Sequence, residues 1–208
     1  MPLVKREGAP PAPSTQGGDE DVDAHLLGLV SPEPECRWRA ARFLGGRRET
    51  VPALAAALAQ EHVPHVRQAI VTALMRVADE ASVLVLLRYI RSQDARERAA
   101  SLDALQALPE AVAPFVASLL ADGDADVRIL ATELARNMPQ VEATSLLCQV
   151  LEREDDPNVS AAAIEVLAEV GTPEAFPALR RCAERFAATP FLPFAVSAAI
   201  AQIQTMKD

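Results

Sequence analysis

The segment DPNVSAAAIEVLAEVGTPEAFPALR, residues 156–180, decides the fold because it contains one complete structural repeat. Asp156 followed by Pro157 is typical of a helix start, since aspartate accepts hydrogen bonds from the free N–H groups of the first turn and proline tolerates that turn. Small and apolar side chains then recur at helical spacing and share one face. The breakers at 171–173 end this helix, and a second apolar helical pattern starts at Phe176. The segment therefore predicts two helices joined by a short turn.

The same pattern recurs along the chain at intervals of 30, 31, 30, 32 and 36 residues. We name its most regular position, which is usually an arginine, the anchor. The anchors are Arg37, Arg67, Arg98, Arg128, Ser160 and Val196. A proline or alanine stands three residues before each anchor, and small or apolar residues stand three, four and seven residues after it. Each anchor is therefore predicted to lie in the first turn of a helix, which we name helix A.

A second set of apolar residues at helical spacing follows each of the first five anchors and predicts a partner helix, which we name helix B. We call such a set of equivalent positions a column. The inward-facing residues of helix B are predicted to be Val51/Leu54/Leu58, Val83/Leu86/Ile90, Ala113/Val116/Leu120, Thr144/Leu147/Leu151 and Phe176/Leu179/Ala183. Pro52, Pro114 and Pro177 stand one residue into this pattern, which suits a first turn. No segment shows sustained alternation of polar and apolar residues, so we expect no sheet. Stacked helical pairs share a continuous core, and the sequence predicts an all-α α-solenoid of about five hairpins.

The two ends of the chain depart from this repeat. Residues 1–19 are rich in Pro, Gly and Ser and have little to bury, so we predict a disordered tail. The solenoid domain is expected over residues 20–208, with a short N-terminal helix around Asp21–Val30. The sixth anchor, Val196, predicts a C-terminal half-repeat.

The composition excludes several classes of function. The chain of 208 residues has a formal net charge of −9, which argues against sequence-independent binding to nucleic acid. It has no apolar run long enough for a transmembrane helix, and residues 1–18 lack the apolar stretch of a secretory signal. The three cysteines, Cys36, Cys148 and Cys182, fit buried or partly buried reduced thiols better than a disulfide framework. We expect a cytoplasmic protein with no nucleic-acid or membrane partner.

The sequence predicts no catalytic, cofactor-binding or metal-binding residues. His62 and His65, next to Glu61, are three residues apart with a proline between them, so they lack the i, i+4 spacing of a helical metal site. Nucleophilic catalysis by a cysteine would require a nearby base, and nothing in the pattern places one. We therefore expect a protein that is not an enzyme and carries no cofactor.

The repeat resembles bacterial HEAT repeats, and most of all the short variety found in phycobilisome-lyase-like proteins. The resemblance covers roughly residues 31–205 and is carried by Asp156-Pro157-Asn158-Val159, Ala162-Ala163, Leu167 and Gly171-Thr172-Pro173-Glu174-Ala175. Ser160 and Val196 depart from it, since the family usually has arginine there. The resemblance implies a scaffold or adaptor in bacterial signalling or complex assembly, whose B helices line a concave surface. It leaves a bilin lyase, or a chaperone of such a lyase, as an alternative.

The arginines at four anchors could have either of two roles, ion pairing between repeats or phosphate binding. Beside an acidic residue in the loop of an adjacent repeat, they would form a ladder of ion pairs between repeats. A row of arginines could also bind phosphate groups, but Glu33, Asp94 and Asp124 stand close enough to cancel much of that potential. We expect the ladder.

The outward columns of helix B predict the partner-binding surface. Their bulky members in the middle repeats are Val85, Tyr89, Phe115, Leu119, Leu146 and Val150, and their polar neighbours are Arg88, Ser118, Gln149 and Arg181. An exposed apolar patch with a polar rim is typical of a protein-binding site, and a groove of this kind suits an amphipathic helix or loop. Alternatively, the apolar side chains are buried between neighbouring B helices.

Overall fold

A computed structural model of the chain describes residues 16–205, and every regular element among them is helical. The predicted all-α repeat fold of the α-solenoid class is thereby confirmed. The predicted disordered tail, residues 1–19, lies outside the described residues except for its last few positions, where α1 (Gln16–Gly28) begins. The prediction of a single domain over residues 20–208 stays a prediction.

The elements follow the predicted order of a short helix, five hairpins and a half-repeat. The A helices are α2 (Pro34–Leu44), α4 (Pro64–Val77), α6 (Ala95–Gln106), α8 (Ala125–Ala135), α10 (Pro157–Val170) and α12 (Phe191–Thr205). The B helices are α3 (Val51–Gln60), α5 (Glu80–Tyr89), α7 (Pro109–Leu119), α9 (Gln140–Arg153) and α11 (Phe176–Arg185). Short 3₁₀ turns at Arg48–Thr50 and Pro173–Ala175 lead into α3 and α11.

The helix starts confirm the predicted role of the anchor. Five of the A helices begin three residues before their anchor, and the sixth, α12, begins five residues before Val196. The side chains of Asp94, Asp124 and Asp156 accept hydrogen bonds from backbone N–H groups of the first turn, which is the N-cap role predicted for Asp156. The residues three and seven positions after every anchor are buried. The helical stripe deduced from the sequence is therefore the core side of each helix A.

The described residues form two compact units that divide within α4, after Ala73. In the first unit α1 packs on α2. In the second unit α6, α8, α10 and α12 pack side by side in one row, and the B helices form a second row against them. This two-row arrangement buries most of the predicted helix-B residues of the second unit between the rows, while Ala113, Phe176 and Ala183 are half-buried.

The prediction that Pro114 lies in the first turn of its helix is wrong. Helix α7 begins at Pro109, so Pro114 lies inside it. Pro109 takes the first-turn role, and the interior proline leaves α7 without one backbone hydrogen bond, since it has no N–H to donate to the carbonyl of Glu110.

The anchor arginines bind the chain that precedes their own helices. In four repeats the guanidinium donates a hydrogen bond to the carbonyl oxygen six residues before it, at N···O distances of 2.7 to 3.0 Å. The accepting carbonyls belong to Ser31, Glu61, Ser92 and Asp122. Each lies just after the end of the previous helix, where carbonyls lack intrahelical donors. We name this arrangement the arginine clamp.

Two anchors also make the predicted ion pair with the next repeat. Arg37 donates two hydrogen bonds to Glu61, at 2.7 and 3.0 Å, and Arg128 donates two to Glu154, at 2.8 and 3.0 Å. Both carboxylates belong to residues that directly follow a helix B. The predicted ladder of ion pairs is therefore confirmed at Arg37 and Arg128.

The fifth repeat forms its clamp with an arginine from elsewhere in the chain. Its anchor is Ser160, which is buried and too short to reach the loop. Arg185, at the end of α11, instead donates hydrogen bonds to the carbonyls of Leu151 and Glu154, at 2.5 and 2.8 Å. These two carbonyls lie nine and six residues before the anchor Ser160. The guanidinium of Arg67 donates to the carbonyls at the same two positions before its own anchor, those of Leu58 and Glu61, at 3.0 and 2.8 Å. Arg185 thus takes the place of the missing anchor arginine.

Replacement of Arg185 by alanine should destabilise the second unit more than replacement of Arg181, which also lies on α11. Arg185→Ala leaves helix-terminal carbonyls without a donor, and the expected loss in unfolding free energy is about 1–3 kcal/mol. Arg181→Ala removes one exposed ion pair with Glu152, which is worth less than about 1 kcal/mol. Urea unfolding monitored by circular dichroism measures both. Equal losses would contradict the clamp assigned to Arg185.

Candidate functional site

A groove of about 470 Å³ lies on the second unit between the C-terminal parts of α7 and α9. The row of B helices opens here, because α9 packs closely on α11 whereas α7 and α9 stand further apart. The groove is lined by Ala117, Leu120, Ala121, Asp122, Arg128, Leu146, Gln149, Val150, Arg153, Glu154, Asp155 and Asp156. We name it the α7–α9 groove.

The floor of the α7–α9 groove is apolar and its side chains are small on one side. Leu120 and Val150 are buried, and Leu146 is half-buried. Ala117 on α7 and Ala121, two residues after its end, are exposed and leave open space on that side of the groove. A leucine- or isoleucine-sized side chain of a partner would find apolar contacts here.

An ion pair between Arg128 and Glu154 fixes the end of the groove. The two side chains are 17% and 8% exposed, and Glu154 also accepts a hydrogen bond from the backbone N–H of Asp156 at 3.0 Å. Burial disfavours the charged carboxylate, but the hydrogen bonds from Arg128 and Asp156 outweigh it and hold the pKa of Glu154 below its ordinary value. The same hydrogen bond raises the pKa of Arg128. Both groups are therefore charged at neutral pH.

The rim of the groove is acidic. Its lining contains the four carboxylates of Asp122, Glu154, Asp155 and Asp156 against two guanidinium groups. Asp122 accepts a hydrogen bond from the N–H of Asp124, which together with its ion pair to Arg91 lowers the pKa of Asp122 despite some burial. Asp155 is exposed. The rim therefore presents a net negative charge to an incoming partner.

The structure brings only part of the predicted partner-binding set into this groove, namely Leu146, Gln149 and Val150. Val85, Tyr89 and Phe115 are half-buried on α5 and α7, and the predicted polar residues are exposed: Arg88, Ser118, Gln149 and Arg181. Leu119 and Val150 are only 6% and 7% exposed, so for these two side chains the structure has the buried arrangement that the sequence left as the alternative. Contacts of α5 with α7, and of α9 with α11, cover side chains between adjacent B helices.

Sequence reasoning missed the acidic rim. Its residues lie in the loops that follow α7 and α9, in the stretches 122–124 and 154–156. The sequence comparison was restricted to equivalent positions within the helices, so it did not include these loops. Both loops begin with an acidic residue six positions before an anchor, and this shared position could have indicated the acidic rim.

Two of the three cysteines are placed as expected. Cys182 is buried and Cys148 half-buried, and burial raises the pKa of both thiols. The expectation is wrong for Cys36, which is exposed in the first turn of α2 because its side chain lies off the core stripe of that helix. Among residues 21–205, whose side chains the structure describes, no group of three or more His, Cys, Asp or Glu could hold a metal ion. None of the helices described there has the length and apolar character needed to cross a membrane.

The repeats identify the protein family. A family model of HEAT repeats matches residues 22–106 and 112–187, which together exceed half of the chain. The chain belongs to the HEAT repeat family. A search of curated proteins found no match.

Several solved structures of repeat proteins are similar to this chain. An archaeal HEAT-like repeat protein from Thermococcus onnurineus NA1 is 15% identical, with 90% of this chain and 88% of that chain covered and a TM-score of 0.49. A designed armadillo repeat protein in complex with peptide (KR)4 is 17% identical, with 88% and 99% covered and a TM-score of 0.42. The complex of CpcE and CpcF of phycocyanin lyase from Nostoc sp. PCC7120 gives 18% identity, 97% and 100% coverage and a TM-score of 0.38.

Replacement of Glu154 by glutamine should lower stability at neutral pH and flatten its pH dependence. A carboxylate with a lowered pKa in the folded state stabilises the fold above its unfolded pKa of about 4.3, and this contribution is lost as the pH falls through the folded value. The expected loss for Glu154→Gln at pH 7 is about 1–3 kcal/mol.

Urea unfolding at several pH values between about 7 and 3 measures this effect. The gap between wild type and Glu154→Gln should close as the pH falls below about 4. Glu165→Gln, at an exposed position of α10, is the matched control and should leave stability unchanged. A gap that stays constant with pH would refute the role given to the Arg128–Glu154 pair.

Proposed function

We propose that the protein is a non-enzymatic scaffold or adaptor that binds a protein partner through the B-helix side of its second unit. The α7–α9 groove carries this proposal, because its apolar floor is left open between α7 and α9, whereas α9 and α11 pack closely. Apolar surface within a polar rim is the usual composition of a protein-binding site. Leu146, Gln149 and Val150 belong both to the groove and to the surface deduced from the sequence.

The charge around the groove favours a basic partner segment. Residues 101–208 contain 7 Lys or Arg and 16 Asp or Glu, which gives this part of the chain a net charge of −9. Complementary charge steers association and excludes acidic competitors. The partner we propose is an amphipathic segment in which Lys or Arg residues flank a leucine-sized side chain.

The ionisable groups of the groove favour binding over catalysis. Glu154 and Arg128 are committed to each other, and Asp156 caps α10. A general acid or base needs a pKa near the working pH, whereas the lowered pKa values of Glu154 and Asp122 keep both carboxylates ionised at pH 7. These groups therefore provide fixed charge rather than proton transfer.

A photo-cross-linking experiment in cells tests whether the groove contacts a protein. Benzoylphenylalanine placed at Gln149 should give a discrete cross-linked product, and the same group at the exposed Glu165 of α10 should not. The Leu146→Ser substitution should weaken the Gln149 product, since it removes apolar contacts from the floor. Equal products from both positions would contradict a partner site in the groove.

Replacement of Ala117 by tryptophan should block the groove. Ala117 is exposed and lines the groove, so a large side chain fills the space without disturbing the core. The probe is a fluorescent peptide with leucines flanked by lysines, measured by anisotropy. We expect Ala117→Trp to weaken its binding about tenfold or more.

Two kinds of control distinguish the effect of the groove's shape on peptide binding from the effect of its charge. Ala81→Trp changes another exposed alanine, on α5, and should leave binding unchanged. A peptide with glutamate in place of lysine should bind less tightly, and added salt should weaken the lysine peptide because screening reduces attraction between exposed charges. Equal binding of the two peptides would refute the basic partner.

A further inference from the structure

Helix α12 carries a second apolar stripe that the fold does not use. Its inner stripe packs against the rest of the unit and is at most 3% exposed at Leu192, Val196, Ala199 and Ile203. The second stripe, which we name the outer stripe, consists of the exposed residues Phe191, Phe194, Ala198, Ala201 and Thr205. Phe191 is 50% exposed and Phe194 is 77% exposed. A helix that is apolar on all sides is typical of a buried position. The outer stripe of α12 is therefore unusual for a surface helix.

Comparison with the other repeats shows that the outer stripe is specific to α12. The position two residues before the anchor is exposed throughout and occupied by Glu35, His65, Arg96, Asp126, Asn158 and, in α12, Phe194. The position five residues after the anchor is occupied by Arg42, Thr72, Asp103, Glu133, Glu165 and, in α12, Ala201. Five repeats thus place polar side chains where the sixth places apolar ones. Packing within the repeat does not require this change.

The spacing of the outer stripe matches a helix–helix seam. Phe191, Phe194, Ala198, Ala201 and Thr205 are separated by three, four, three and four residues, and all five are exposed. This alternation keeps side chains facing a partner helix along its length. Ser197, Gln202 and Gln204 flank the stripe with uncharged polar groups.

We infer that the outer stripe of α12 is the contact surface for a second copy of this chain, with the two α12 helices antiparallel about a two-fold axis at Ala198. The sizes of the side chains in the outer stripe favour a second copy of the chain as the partner. The stripe runs from large residues at its start to small residues at its end, so an antiparallel copy places Phe194 opposite Ala201 and Phe191 opposite Thr205. A two-fold contact requires such self-complementarity.

The distribution of charge along the chain also favours a second copy as the partner. Residues 186–206 contain no Asp, Glu, Lys or Arg, although 24% of the whole chain is charged. Two copies that each carry a net charge of −9 repel one another, and contact through an uncharged helix keeps their acidic groups apart. A charged partner surface would lose hydration against this stripe without gaining an opposite charge. The stripe lies outside the α7–α9 groove, so the inference is independent of the proposed function.

Sedimentation velocity of the full chain tests the inference. Four phenylalanines make a small interface, so we expect a weak dimer with a dissociation constant on the order of 10 µM. Phe194→Gln should weaken the dimer about tenfold or more while leaving the thermal midpoint unchanged, because the ring is exposed. Val141→Gln is the matched control, since Val141 on α9 is also 77% exposed, and it should not change dimerisation.

Two further variants keep the test decisive. Ala201→Arg places a charge opposite Phe194 of the second copy at an exposed position, and should abolish the dimer without affecting folding. Both disulfide variants carry Cys36→Ser, because the native Cys36 is exposed. In this background Ala198→Cys should give a disulfide-linked dimer under mild oxidation, whereas Ser145→Cys, at an exposed position of α9, should not. A wild-type chain that remains monomeric at concentrations on the order of 300 µM would overturn the inference. A dimer that survives both Phe194→Gln and Ala201→Arg would do the same.

Discussion

The arginine clamp is the interaction on which the repeat depends. Each helix B, or α1 in the first repeat, ends with carbonyls that have no intrahelical donor, and the next helix A begins within a few residues of them. In the first four repeats a guanidinium six residues after such a carbonyl donates to it and so fixes the turn between the two helices. Because arginine presents several N–H groups in one plane, Arg37 and Arg128 can also pair with a glutamate after the next helix B. One side chain thus links three consecutive helices.

The groove and the clamp share residues, which connects the fold to the proposed binding function. Asp122 offers its carbonyl to Arg128 and its carboxylate to the rim, and Glu154 pairs with Arg128 at the end of the groove. Three of the four rim carboxylates, those of Asp122, Glu154 and Asp156, are therefore held by hydrogen bonds, some of which also hold the repeat together. A rim held in this way with an open apolar floor is suited to binding an extended or helical segment with little loss of conformational entropy.

Helix starts and core columns were predictable because they depend on local rules: proline and aspartate at the first turn, and apolar spacing along one face. The sequence was less informative about neighbours in space. It left open whether Leu119 and Val150 are exposed or buried, because the sequence of one helix does not tell how closely the next helix B approaches it, and both side chains are buried. Pro114 was misplaced because Pro109 offered an earlier start that the apolar column did not mark. The groove follows from the spacing between α7 and α9, which no local pattern encodes.

The replacement of an anchor arginine by Arg185 affects the order in which the repeats can be completed during synthesis. A nascent chain closes the first four clamps as soon as each helix A is made, since donor and acceptor are six residues apart. The turn after α9 must wait for a donor that lies 31 residues beyond Glu154. This one turn can therefore be clamped only after α11 has been synthesised, whereas the other four need only the first turn of the helix that follows them.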